Sequence, residues 1–405
     1  MAALWFLVAL GVLPVARSSA PCTSNRDCSL LGACQAGGAC ACDSGWEGAT
    51  CARAKLKPLD VALGYQATDD ASTWGGRPVQ DPASGTWHLF VAQFTHQCPL
   101  EYWLHNSVVA RATSASGSAG GPYVYAETAF PEFHHNPSVV GPTPDGYYLL
   151  FMIGVTNASN VVACTAAVPP PPPGHHGFSA NAGQIDMAWS RSPEGPWQSR
   201  TVLKNWDRPT QNQSAWDCYV TNPSAVLSPN GSIALFFSSV PCTEFYESLG
   251  VAVAPHWGAE FVQSHTPVWK KPGPPQRPAL STGVGNIEDP FAWQDGRGNW
   301  HIIAHSQGHR NVCGSEGYAC SVHLFAEAAA GPWTPSLEPV FNNRTALTNG
   351  TLVTMVTRQR PQLTFAADGT TPRFMFVGGS FVQTNNGPLK GVERTFAFEF
   401  DNDDV

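Results

Sequence analysis

Glu288-Asp-Pro-Phe-Ala-Trp-Gln-Asp-Gly-Arg-Gly-Asn-Trp-His-Ile302 holds the pattern on which the fold turns: a polar residue, a Pro, a short apolar run, a Gly- or Asp-containing turn and a second apolar strand. The same order recurs in Gly76-Arg-Pro-Val through Phe90, in His135-Asn-Pro-Ser-Val-Val through Phe151, in Thr221-Asn-Pro-Ser-Ala-Val through Phe236, and in Gln359-Arg-Pro-Gln-Leu-Thr-Phe through Phe376. Asp-Gly and Asn-Gly favour the tight turns that match strand twist, so each copy is a β-hairpin. Pro can open a strand but cannot sit in its paired middle, so Pro78, Pro137, Pro223, Pro290 and Pro361 mark where the first strand of each unit begins. A second echo, Gly121-Pro-Tyr123, Ser192-Pro-Glu-Gly-Pro-Trp197 and Ala330-Gly-Pro-Trp333, follows a third strand such as Ile185–Trp189. Units of roughly 60 to 85 residues suit four-stranded blades with long loops, and five hairpins predict an all-β, five-bladed β-propeller. A β-sandwich or a β-helix would not repeat one hairpin type at such long intervals.

Composition agrees. Only 13% of the 405 residues are charged, 43% are hydrophobic, and 38 Gly with 35 Pro suit many short strands and tight turns. A net charge of −8 without a Lys/Arg cluster argues against nucleic acid and anionic membranes as partners and favours neutral ligands, and a few exposed aromatic residues could stack on the rings of a carbohydrate. Residues 1–20 form an apolar run that is broken by Pro14 and ends in small residues, which predicts a signal peptide cut after Ala20 and a secreted, extracellular product. No second apolar span follows and the last residues are acidic, so no membrane insertion is expected. With 12 Cys in an oxidising compartment, disulfides are expected rather than zinc or a catalytic thiol, and neither cofactor nor metal is predicted. Sequons at Asn157, Asn212, Asn230, Asn343 and Asn349 are candidate glycosylation sites.

Cys22, Cys28, Cys34, Cys40, Cys42 and Cys51 fall in a stretch too short to bury a core, so covalent staples must hold it. Spacing alone leaves the pairing open. Cys40-Ala-Cys42-Asp-Ser-Gly-Trp-Glu-Gly-Ala-Thr-Cys51 resembles the closing half of an EGF-like domain. That resemblance implies Cys22–Cys34, Cys28–Cys40 and Cys42–Cys51, in a module over residues 21–56 ahead of a propeller over 57–405. The acidic residues that calcium-binding EGF modules carry before the first Cys are missing, so no calcium is expected there. The module is read as a spacer or adhesion unit making protein contacts, or as a cap on the next domain. Among the later Cys, nearness in sequence suggests Cys313–Cys320 and Cys218–Cys242, which leaves Cys98–Cys164 by elimination. Pro169–Pro173 with the following Gly-His-His-Gly is expected to be a surface loop.

Glu288-Asp-Pro-Phe-Ala-Trp with a following His, and Ser-Arg-Ser-Pro-Glu-Gly-Pro-Trp197, resemble the five-bladed propeller glycosidases of the arabinanase and xylosidase type, family 43-like, over residues 60–405. The resemblance implies that the start of each first strand faces a central funnel holding substrate. Taking the residue before each Pro gives a polar ring of Arg77, Asn136, Asn222, Asp289 and Arg360, with Gly76, His135, Thr221, Glu288 and Gln359 one step earlier. His135, Asn136, Asn222, Arg77 and Arg360 are candidate substrate-binding residues.

Glycoside hydrolysis needs two carboxyl groups, one to donate a proton and one to attack carbon or activate water. The resembled family draws an Asp base from blade one, a second Asp from the next and a Glu acid from the third. This chain offers Arg77, Asn136 and Asn222 there, so Glu288 and Asp289 of blade four are the candidate catalytic acids. Neighbours on a strand point to opposite faces, so a partner for one of them is sought at Glu101, Glu132, Asp217, His134, His135, His301 or His305, and core hydrogen bonding is expected for at least one of the last two. Arg77 and Arg360 would suit a uronate or sulfate on an acidic polysaccharide, or neutralise Asp289 and Glu288. Two function classes stay open: an extracellular glycoside hydrolase, or a non-catalytic glycan- or protein-binding EGF/propeller protein.

Overall fold

The computed structural model describes residues 21–402 except 66, 68–70, 155–160, 162, 165–182, 205–215, 242–246, 271–285, 308–319, 337 and 382–392. The predicted signal peptide, Asn157, Asn212, Cys242, Cys313 and the Pro169–Pro173 loop therefore lie outside the described residues.

The five hairpins open five antiparallel blades. Blade 1 runs Thr73–Gln80, Trp87–Phe94, Ser107–Ser114 and Tyr123–Phe130, and blade 2 runs His135–Val140, Tyr148–Gly154, Gln184–Ser190 and Gln198–Lys204. Blade 3 has Tyr219–Leu227, Ile233–Val240 and Ser248–Ala254, with its outer edge split between Val262–Gln263 and Trp269–Lys270. Blade 4 has Asn286–Gln294, Trp300–Gln307, Ser321–Ala326 and the short Thr334–Pro335. Blade 5 is built on Leu352–Phe365, Pro372–Phe381 and Arg394–Glu399, while Arg344–Ala346 pairs only with the start of its long inner strand. Its outer edge is closed by residues that precede blade 1: Lys57 N donates to Glu399 O at 2.9 Å and Tyr65 N to Thr395 O at 2.8 Å. The circle is thus latched by hydrogen bonds between distant parts of the chain, which removes an open strand edge.

Side chains alternate along each second strand and feed the cores on either side. Leu89 and Val91 pack toward blade 5, and Phe90 between them packs toward blade 2. Leu235 likewise joins the cluster with blade 2 and Phe236 the cluster with blade 4. The Gly-Pro-aromatic echo now has a physical reason. Tyr123, Trp197 and Trp333 each pack against a second-strand Phe of the preceding blade, Phe376, Phe90 and Phe236, at 6.1, 5.5 and 5.8 Å between ring centres.

The N-terminal segment carries the disulfides Cys22–Cys34, Cys28–Cys40 and Cys42–Cys51, and Cys98–Cys164 joins the loop after the blade 1 hairpin to the loop of blade 2. Cys218 and Cys320 are also disulfide-bonded, to partners outside the described residues. Trp46 fixes the segment on the propeller: it stacks on Trp293 at 6.0 Å, is nearly parallel to it, and contacts Phe400 at 5.9 Å. Arg297, in the blade 4 hairpin turn, donates to Leu30 O at 2.6 Å and pairs with Asp43. Because Trp46 is only 6% exposed, Trp46→Ala is expected to cost about 3–5 kcal/mol, measured by denaturant unfolding. A loss below about 1 kcal/mol would show that the stack does not anchor the segment. Asn230 and Asn349 are exposed, whereas Asn343 is only 6% exposed. No helix among the described residues is long and apolar enough to cross a membrane.

Candidate active site

Each inner strand carries a register slip, within its first half in blades 1 to 4 and in the middle of the long inner strand of blade 5. In blade 4 the pairing Glu288↔His305 jumps to Phe291↔Ile303, and Asp289 sits inside the slip with φ of 49°. Asn136, Asn222 and Arg360 occupy the same place in blades 2, 3 and 5 with φ of 52°, 50° and 49°. A left-handed backbone costs a residue with a side chain about 1–3 kcal/mol and persists only where the surroundings enforce it. Four such residues around one axis mark a place where side-chain direction outweighs backbone comfort.

Blade 1 departs from the ring expected above. Its slip lies between Trp74 and Arg77, and the place of Asp289 is taken by Gly75, with φ of 61°, followed by Gly76 with φ of 110°. Pro78 stands two residues beyond the bulge rather than within it, so Arg77 pairs with Phe90 as Phe291 does with Ile303. Arg77 consequently leaves the ring. It lies over the Phe291 ring at 5.0 Å, donates to Ala225 O at 3.2 Å, and lines a 530 Å³ cavity at the far end of the axis. Gly75 has its own reason: a Cβ there would come within 2.6 Å of Arg360 Cδ.

The other four ring members meet. Arg360, 0% exposed, donates from Nη1 to Asp289 Oδ1 at 2.9 Å and from Nη2 to Asn136 O at 2.7 Å. Asn136 Nδ2 donates to Asn222 Oδ1 at 2.7 Å and to Asp289 Oδ1 at 3.3 Å, and Asn222 Nδ2 donates to Glu288 Oε1 at 3.1 Å. Arg360 therefore serves as the counter-charge of Asp289, the second of the two roles open to it. Glu288 and Asp289, placed on opposite faces by strand alternation, line the same 180 Å³ cavity because the bulge turns Asp289 back toward the axis. Trp74, Trp103, His135, Thr221 and Gln359 complete much of its wall.

Burial raises Asp289 to about 6, and the Glu288 charge adds to this against the pull of Arg360 and His305. Burial, then the nearby Arg360 charge, holds His135 well below its usual range, so its imidazole is neutral; its Nδ1 lies 2.7 Å from Ser107 Oγ and its ring 5.3 Å from Trp103. His305 Nδ1 lies 3.7 Å from Glu288 Oε2. Glu288, Asp289 and His305 offer atoms within 4.8 Å of one another, a spacing that could hold a cation.

One acid was missed by the sequence reading. Glu247, 5% exposed at the head of the third strand of blade 3, is pushed well above the usual carboxyl range by burial and then by the charges of Glu288 and Asp289. Its Oε2 has no hydrogen-bond partner among the described residues. A polar residue opening the apolar run Ser248–Ala254 was the available signal. The remaining candidates lie elsewhere. Glu101 is exposed, Asp217 bonds Gln263, and His134 Nδ1 lies 3.0 Å from Pro131 O. His301 is buried with His323 at 3.0 Å and stacks on Trp293 at 4.9 Å, a core role at the far end of its strand from His305.

No family model and no curated protein matches the chain. Solved structures do. An α-L-arabinofuranosidase from Podospora anserina in complex with cellotriose superposes with a TM-score of 0.58 at 10% identity, over 87% of this chain and 98% of its own. The catalytic domain of a Coprinopsis cinerea GH62 α-L-arabinofuranosidase gives 0.57 at 10% identity, over 86% and 98% of the two chains. A family 117 glycoside hydrolase from Zobellia galactanivorans gives 0.52 at 15%, over 87% and 91%. The chain has the fold of the glycoside hydrolase propellers. On this fold, the cavity of Glu288 and Asp289 opens at the register slips of the five inner strands.

Proposed function

We propose that this is a secreted protein, an EGF-like module over residues 21–56 with a propeller over 57–405, whose axial cavity cleaves glycosidic bonds of an extracellular polysaccharide. The observation that carries this reading is the pair Glu288 and Asp289 at one aromatic-walled polar cavity, with Asp289 raised to about 6. Atoms within 4.8 Å leave less than the gap of about 6.5–9.5 Å that admits a water between two carboxyl groups. The spacing fits the closer pair of about 5–5.5 Å: Asp289 gives its proton to the leaving oxygen as the carboxylate of Glu288, the more exposed, bonds to the sugar carbon that this oxygen leaves, and water then attacks that carbon, Asp289 taking its proton and Glu288 being released. Trp103, half-buried on the cavity wall, offers a face on which a sugar ring can stack.

Asp289 is protonated below about pH 6 and ionised above it. As the donor it supports turnover below that value, and kcat/KM is expected to fall as pH rises through it. The experiment is a glycan array on the secreted chain, product analysis of every ligand bound, and a pH profile with Asp289→Asn beside the wild type. A profile flat from about pH 5 to 7 would contradict the assignment. A second reading, glycan binding without turnover, draws support from Arg360, which already neutralises Asp289. Binding with no product, unchanged in Asp289→Asn, would select it.

A further inference from the structure

A third cavity, of 230 Å³, lies at the seam between the N-terminal segment and blade 5. Its lining includes Arg53, Lys57, Arg344 and Arg358 against one acid, Glu47, in a chain whose net charge is −8. Arg358 is 2% exposed and lies between the rings of Phe341 and Phe398 at 4.2 and 4.0 Å. Nη1 donates to Asn342 O at 3.1 Å, while Nε and Nη2 have no hydrogen-bond partner and the guanidinium has no carboxylate partner among the described residues. The Thr345 hydroxyl, on the same cavity wall, is likewise without a partner among them. Burial pushes Arg358 down to about 9.

Buried donors are almost always satisfied, and a group of orphans at one cavity marks an ion or water that belongs there. Every orphan here can donate, so the missing group is an acceptor. A buried cation without a counter-charge is costly, which makes that acceptor an anion. At the rim, Arg53 and Lys57 are tied to Glu47 and Glu399, yet their side chains remain 53% and 45% exposed. Arg344 is exposed and has no ion pair among the described residues. On these grounds we infer that the seam is an anion-binding site, separate from the axial cavity, that holds a sulfate or carboxylate group of an acidic glycan. The N-terminal segment supplies Arg53 and Lys57 and blade 5 supplies Arg344 and Arg358, so docking of the segment builds the site.

The test is calorimetric titration of the full secreted chain with inorganic sulfate, a sulfated hexasaccharide, its desulfated counterpart and an unsulfated polyuronate hexasaccharide. The site predicts binding of the sulfated or the uronate chain that weakens with added salt, and loss of the desulfated neutral one. Arg344→Glu is expected to lower that affinity about tenfold, the scale of one charge-assisted hydrogen bond, with unchanged unfolding midpoint. Arg358→Met should lower it further where the variant folds. Glu288→Gln should leave it unchanged, so failure of the axial reading and failure of this one are separable. Equal affinity in Arg344→Glu, equal binding of the desulfated chain, or loss in Glu288→Gln would overturn the inference.

Discussion

Arg360→Met is expected to lower the stability of the chain by about 3–5 kcal/mol, because it strands the buried charge of Asp289 without its partner. Arg360 is 0% exposed and Asp289 2%, so water cannot replace the lost hydrogen bonds unless the axis opens. The loss should depend on pH in a defined sense. Asp289 already sits near 6 with Arg360 present, and removing that cation raises it further. A group raised in the folded state favours folding at pH below its unfolded value and loses that contribution as pH climbs through the folded one. The penalty should therefore be largest above about pH 6 and shrink in acid, where Asp289 takes up a proton. Asp289→Asn added to Arg360→Met should recover much of the loss, since the stranded charge is gone. Urea unfolding at pH 5 and 7.5 reads all of this, and additive losses in the double variant would contradict it.

Glu288→Gln is expected to lower turnover by at least about 10²-fold, the scale on which one catalytic group is lost, because an amide cannot attack carbon as the carboxylate does, with KM changed only a few fold. The substitution keeps an oxygen for Asn222 Nδ2, now 3.1 Å from Glu288 Oε1, so the axial hydrogen-bond chain survives while the ionisable group does not. Retention of more than a tenth of the activity on the glycan chosen by the array would remove Glu288 from the chemistry.

The blades were legible because Gly- and Asp-containing turns select hairpins, but the Pro residues do not open the inner strands as expected: Pro137, Pro223, Pro290 and Pro361 sit in their register slips, where no ladder bond is lost, and Pro78 pairs with Leu89 inside Thr73–Gln80. Asn136, Asn222, Asp289 and Arg360 could be placed on one ring because each stands before a Pro that marks the slip. Arg77 could not, since Gly75 takes the place of Asp289 in blade 1 and Pro78 only mimics the motif. The bulge also hid the meeting of Glu288 with Asp289, which strand periodicity separates. Glu247 stayed unseen because its role comes from burial beside two other acids, a fact of tertiary packing with no local motif. The latch of residues 55–65 on blade 5 was equally silent: it rests on backbone hydrogen bonds that any side chains permit.

The most direct test is a crystal structure of the Glu288→Gln chain soaked with the oligosaccharide that the array selects. A sugar ring is expected against Trp103, with a glycosidic oxygen within hydrogen-bond reach of Asp289. Sugar seated on the outer face of a blade, with the mouth between Asn136, Asn222 and Arg360 left to solvent, would contradict it.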